Sequence, residues 1–161
     1  MRLVVPGWFG TNMTKWLCRL SLQPDRAQRP FTTTFYNERD PTDSNGRMRP
    51  VWRVEPNSMI VTPARDAQLE GPRIEVEGWA WSDDVISAVQ VSTDGGVSWL
   101  DAIVEPRHEF SWQKFNTVVS LSSGLHQLVA RATSSSGLQQ PLSGRRNHAH
   151  TIKICVMGTQ F

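Results

Sequence analysis

His148 and His150 stand two residues apart, a spacing that on a strand turns both rings to one side and permits metal chelation. No cysteine or third histidine lies near them to close a site, so a packed or interfacial pair is expected. Asp83, Asp84 and Asp94 could offer oxygen ligands to calcium, but they sit among turn residues, where aspartate is favoured for its own local hydrogen bonds. No metal site is predicted. Glu75 and Glu77 alternate along a strand-like run and should face water or an opposing arginine. Trp79 and Trp81 are also two apart and share a face. Such a pair makes a platform for a sugar ring, but with Trp99 and Trp112 it serves equally as core or as a subunit contact, and core or interface is the expectation. There is no G-x-S-x-G, no cysteine–histidine nucleophile pattern and no phosphate-binding glycine loop. The strongest charge bias lies at the start. Residues 1–38 carry Arg2, Lys15, Arg19, Arg26 and Arg29 against only Asp25 and Glu38.

The elements that must position these residues fall into three zones. Residues 39–50 are polar, hold proline and glycine and show no hydrophobic period, which predicts a linker or exposed loop. Residues 51–161 carry short alternating runs separated by turn residues. Strands are predicted over Ser58–Thr62, Arg73–Ala80, Val85–Val91, Val97–Val104, Phe110–Leu121, Leu125–Thr133 and Ala149–Met157. Thr93-Asp94-Gly95-Gly96 supplies the positive φ of a tight hairpin. About seven short strands with almost no helical period predict an all-β, antiparallel sandwich. Residues 1–38 do not fit it. Leu3-Val4-Val5 reads as a buried strand stopping at Pro6-Gly7, and Thr14–Leu22 as a strand or short helix. So short a segment cannot bury its own aromatic clusters and reads as the edge of a larger domain.

The whole chain has 161 residues, enough for one ordinary domain and a short attachment. Seventeen basic residues against fifteen acidic ones give a net charge of +2, too balanced for a nucleic-acid partner. No apolar run reaches the ~18–20 residues of a membrane helix, so no membrane partner is expected. Two distant cysteines, Cys18 and Cys155, exclude a disulfide-rich scaffold.

The opening string RLVVPGWFGTNMTKWLCRL, with its R-x-x-V-P-G and K-W, resembles the end of the cofactor domain in sulfite-oxidase-type molybdenum enzymes. The strings VWRVEPNSMIVTP, GWAWSD, VQVSTDGGVSW, LVARATSSSG and QQP resemble, in order, that family's C-terminal dimerisation domain. The resemblance implies an immunoglobulin-like sandwich over 51–161, a linker at 39–50, and a remnant of an α+β molybdopterin-binding domain over 1–38. It implies Mo-molybdopterin as cofactor, held mostly by a domain upstream of Met1 that would also bring the cysteine ligand to molybdenum. It further implies oxidation of sulfite or a similar small oxyanion, a homodimer, and no turnover by this portion alone. Arg2 takes the position of the family's arginine that grips the substrate oxyanion, a role suited to a guanidinium's planar, permanently charged fork of donors. Lys15, with Thr14 and Met13, falls on the stretch that touches the pterin and its phosphate. Where some members have Arg-His, this chain has Asn12-Met13. The alternative is a non-enzymatic immunoglobulin-like interaction module, for which the sandwich alone suffices.

Overall fold

The computed structural model describes residues 1–40 and 43–158. They form two compact units that divide between Val54 and Glu55.

In the first unit, Pro6 and Gly7 make a tight turn, closed by the Trp8 N–H on the Val5 carbonyl at 3.2 Å. Gly7 has φ +75°, the left-handed conformation that a Pro-Gly turn needs at its third residue and that costs glycine little. Beyond the turn, Phe9 N–H reaches the Trp52 carbonyl (2.9 Å) and Val54 N–H the Gly7 carbonyl (2.8 Å), so the segment pairs with residues 52–54. Trp8 stacks on Trp52 at 5.1 Å. A single 3-10 turn follows at Gly10–Asn12 and one wide π turn at Phe31–Phe35. The run Leu3–Val5 makes no continuous strand and is not buried; Val4 is 62% exposed. Beyond Lys15, the stretch to Leu22 is neither strand nor helix. Of residues 39–50, 41 and 42 lie outside the described residues. Strands β1 (Asn37–Arg39) and β2 (Met48–Pro50) pair as an antiparallel hairpin across that stretch. The Glu38–Arg49 ion pair at 2.7 Å supports this ladder, which no hydrophobic period announces.

The second unit is the sandwich. One layer holds β3 (Asn57–Thr62), β5 (Arg73–Trp81) and β8 (Gln113–Ser120). The other holds β6 (Ile86–Ser92), β9 (Gly124–Ser134), β10 (Thr151–Met157) and β4 (Gln68–Glu70). Strand β7 (Leu100–Val104) joins the layers, pairing with β6 through Leu100–Ala102 and with β8 through Ile103 and Val104. The hydrogen-bonded order is β3-β5-β8-β7-β6-β9-β10-β4. All seven expected strands are present, and every pairing is antiparallel except β4 on β10. This is the curled immunoglobulin-like sandwich that the sequence pattern and the resemblance imply.

Alternation explains the layering. In β5, Ile74, Val76, Gly78 and Ala80 are buried while Arg73, Glu75, Glu77, Trp79 and Trp81 point outward. Their inner side meets Val89, Val91, Phe115, Leu128, Ala132, Ile154 and Val156. Gly78 is fixed by close packing: a Cβ there would lie 2.1 Å from the Met59 carbonyl oxygen and 2.5 Å from the Phe115 ring. Gln113 is buried where β8 begins. Its amide accepts from the Ile86 N–H (2.7 Å) and donates to the Ile86 and Glu105 carbonyls (3.0 Å each), tying the layers together.

Candidate functional site

In the first unit, the Leu3 N–H donates to the Thr14 carbonyl (2.9 Å) and the Leu17 N–H to the Met1 carbonyl (3.1 Å). These bonds flank Arg2 and Lys15, which face each other as an antiparallel bridge. Directly opposed residues of such a bridge project to the same side, with Cβ atoms about 4.5–5.5 Å apart. Both side chains are exposed, and among the described residues neither has an acidic partner within 4 Å. Like charges so placed repel. An oxyanion or a phosphate set between them would relieve that repulsion and accept from both. Trp16, next to Lys15, has φ +53°, so the chain turns sharply as soon as it leaves the pair.

Thr14 and Met13 diverge from the pair. Thr14 lines a cleft of about 440 Å³ with Thr11, Asn12, Arg26, Phe31, Thr32, Tyr36 and Trp52, a lining that includes neither Arg2, Lys15 nor Met13. Met13 is half-buried, its N–H donating to the Gly10 carbonyl at 3.0 Å. The Asn12 amide donates to the Val51 carbonyl (2.9 Å), so this side chain holds the fold together. Arg26 lies 5.6 Å over the Trp52 ring and donates to Asn37 Oδ1 at 2.9 Å. It is the cation of the cleft, and only its place in a basic segment marks it in the sequence.

In the sandwich, Asp84 and Asp94 are spent on turns. Asp94 accepts from the Val97 and Ser98 N–H groups and from the Ser92 and Ser98 hydroxyls, at 2.6–3.0 Å. The Ser98 hydroxyl, then the Ser98 N–H and the Ser92 hydroxyl, hold its carboxyl far below the usual range. Asp84 accepts from the Val85 and Ser136 N–H groups, and its pKa is lowered first by the Ser135 hydroxyl and then by the Val85 N–H. No group of three His, Cys, Asp or Glu side chains among the described residues is arranged to hold a metal. The His148 and His150 rings lie 5.1 Å apart, and His148 Nδ1 sits 2.7 Å from the Arg145 carbonyl. Of the two glutamates expected to face water or an opposing arginine, Glu75 is exposed and Glu77 meets Lys114 across the strands at 2.7 Å.

The tryptophans divide by layer. Trp79 and Trp81 lie on the outer side of β5, not in the core, and Trp112 stacks on Trp81 at 4.3 Å and 15°. Trp99 is covered by the Arg131 guanidinium at 4.0 Å on the other layer. Cys18 and Cys155 are free thiols. No helix among the described residues is long and apolar enough to cross a membrane.

Comparison with known proteins places this geometry. Human mitochondrial sulfite oxidase is 27% identical over 155 residues, covering 88% of this chain and 28% of its own. Sulfite oxidase from Gallus gallus is 29% identical over 154 residues (88% and 34%), and that from Arabidopsis thaliana 25% over 160 (88% and 40%). The crystal structure of the sulfane dehydrogenase SoxCD from Paracoccus pantotrophus superposes with a TM-score of 0.76 at 27% identity, over 93% of this chain and 42% of that one. The chain thus spans between 28% and 40% of these curated relatives. Residues 48–155, most of the chain and nearly all of the sandwich, match the model of the Mo-co oxidoreductase dimerisation domain, and the chain belongs to that family.

Proposed function

We propose that this chain is the C-terminal portion of a sulfite-oxidase-like molybdenum oxidoreductase acting on sulfite or a similar small oxyanion, with the sandwich pairing two subunits. Residues 1–38 are the remnant of a molybdopterin-binding domain, 39–50 the connection, and 51–161 the dimerisation domain. The match to the sulfite oxidases over 88% of this chain supports this reading. So does the first unit's surface, where Trp16, Leu20 and Leu22 are 85%, 77% and 100% exposed, as expected of a piece whose packing partner is elsewhere.

One observation carries the site. Arg2 and Lys15 lie side by side on one face, and among the described residues no acid pairs with them, which fits an anionic group. Arg2 would grip the substrate oxyanion, and Lys15, with Thr14 and Met13 beside it in the chain, would hold the pterin side and its phosphate. When bound, the cofactor supplies two-electron redox chemistry with oxygen transfer from water. These residues contribute fixed positive charge and donors. The 161 residues by themselves are proposed to have no sulfite turnover.

The test is an NMR titration of the full chain with inorganic phosphate and with sulfate. Amide shifts concentrated at Arg2, Thr14 and Lys15, weakened at least fivefold in Lys15→Gln and fading with added chloride, are the expected outcome. Shifts spread evenly over all surface cations would overturn the site. Sulfite oxidation by the purified chain would overturn its proposed inactivity.

A further inference from the structure

We infer that the cleft of the first unit binds a small aromatic carboxylate, a role separate from that of the Arg2–Lys15 pair, neither of which lines it. Its volume, about 440 Å³, lies within the ~300–1,000 Å³ of small-ligand sites. The walls are aromatic. Phe31 and Trp52 are 61% and 41% exposed, and Phe31 stacks on Tyr36 at 5.8 Å and 23°. Ring surface left bare to water inside one concavity gains most from a flat apolar ligand laid against it.

The polar groups choose the ligand's charge. Arg26 is half-buried over Trp52, with one guanidinium nitrogen donating to Asn37 Oδ1 at 2.9 Å. Among the described residues no acid lies within 4 Å of it, and no carboxylate lines the cleft. A cationic ligand would therefore meet only repulsion, and a sugar would find no acid to accept from its hydroxyls. A phosphate would leave the ring walls unused. A carboxylate on a flat ring uses both, taking the donors that Arg26 has left. The Tyr36 phenol and the Thr14 hydroxyl, which make no hydrogen bond among the described residues, can donate to its oxygens as well. The walls are set in advance. The Asn37 amide donates to the Thr32 carbonyl (3.1 Å), the Thr32 hydroxyl to the Arg29 carbonyl (2.8 Å) and the Tyr36 N–H to the Phe31 carbonyl (3.3 Å), while Trp52 rests on Trp8. Little ordering is left for binding to oppose.

The experiment is an amide NMR titration of the full chain with benzoate, benzamide and acetate, each to about 5 mM. Unchanged circular dichroism and unfolding midpoint check the fold of each variant. Saturable shifts of the Trp52 indole N–H and of the Arg26 and Tyr36 amides with benzoate are expected, with benzamide and acetate each at least ~10-fold weaker. Arg26→Gln should weaken benzoate at least ~10-fold, and Arg19→Gln, an exposed cation of the same segment outside the cleft, should leave it within about twofold. Phe31→Ala removes an exposed wall and no side-chain hydrogen bond; it should weaken benzoate at least ~5-fold and carries the test if Arg26→Gln unfolds. Benzamide as tight as benzoate overturns the carboxylate, and acetate as tight overturns the ring. No saturable shift in the cleft, or one that Arg26→Gln and Phe31→Ala both leave intact, overturns the site. Phosphate shifts at Arg2 and Lys15 are a separate readout, so either site can fail alone.

Discussion

Gly78→Ala tests the packing that holds the tryptophan-bearing layer together. The added methyl would sit 2.5 and 2.7 Å from Phe115 Cζ and Cε1 and 2.1 Å from the Met59 carbonyl oxygen. Carbon atoms rest about 3.5–4.0 Å apart, so the methyl stands about 1 Å too close to the ring. The ring is fully buried and has no free space to turn into. The carbonyl belongs to the β3 backbone, so relief there means lifting β3 from β5 around the Ile60–Gly78 pair. Overpacking alone costs about 1–3 kcal/mol, and each ladder hydrogen bond lost adds about 1 kcal/mol. A loss of about 3–5 kcal/mol is expected, lowering the thermal midpoint by at least ~12 °C at about 4 °C per kcal/mol. Urea unfolding followed by tryptophan fluorescence measures it. Phe115→Leu separates the two obstacles by removing the ring edge and leaving the carbonyl in place. Gly78→Ala should therefore still cost at least ~2 kcal/mol in that background. A Gly78→Ala variant within 1 kcal/mol of wild type, or a stabilised one as expected where alanine is unstrained, would refute the close approach. Full suppression by Phe115→Leu would make the ring the sole obstacle.

Asp94 predicts an acid signature. Its folded pKa lies below the unfolded value of about 3.9, so its stabilising effect is complete above that value and is lost as pH falls through the folded pKa. Thermal midpoints measured from pH 7 to 2 should fall more steeply below about pH 4 in wild type than in Asp94→Asn; identical acid limbs would count against the carboxylate's role in the turn. Gln113→Leu removes one acceptor and one donor from the buried backbone of Ile86 and a second donor from the partly buried carbonyl of Glu105, and should lower stability by about 2–4 kcal/mol in urea unfolding. A change below 0.5 kcal/mol, by the same ~1 kcal/mol-per-bond reasoning, would show that water replaces the amide freely.

The strands that alternate over seven or more residues were legible. Val76, Ala80, Val89 and Ile154 identify inward faces from period alone, because one side of each strand meets the core. The ends were less so. Strand β7 begins at Leu100 and not at Val97, because the Asp94 carboxylate holds the Val97 and Ser98 N–H groups that a strand would use. Strand β8 starts at Gln113, since the Ser111 N–H turns back on the His108 carbonyl at 2.9 Å. Strand β4 has three residues and finds its partner in β10, far along the chain, so no local period marks it. Of the candidate site, the basic bias and the Pro6-Gly7 turn could be read directly. The juxtaposition of Arg2 with Lys15 could not, because it needs a register set by the turns at Pro6-Gly7 and Gly10–Asn12 together.

The strand order has a consequence for how this fold guards against uncontrolled assembly. The two strands at the ends of the hydrogen-bonded order, β3 and β4, are neighbours in sequence, separated only by residues 63–67. One ribbon of fourteen residues, 57–70, therefore seals both open borders of the sandwich, running antiparallel along β5 and then parallel along β10. The circuit is completed by covalent chain where a barrel would use hydrogen bonds. Peeling that ribbon away would bare two sticky rims in a single event, so the molecule's resistance to fibril-like stacking depends on one short stretch staying in place.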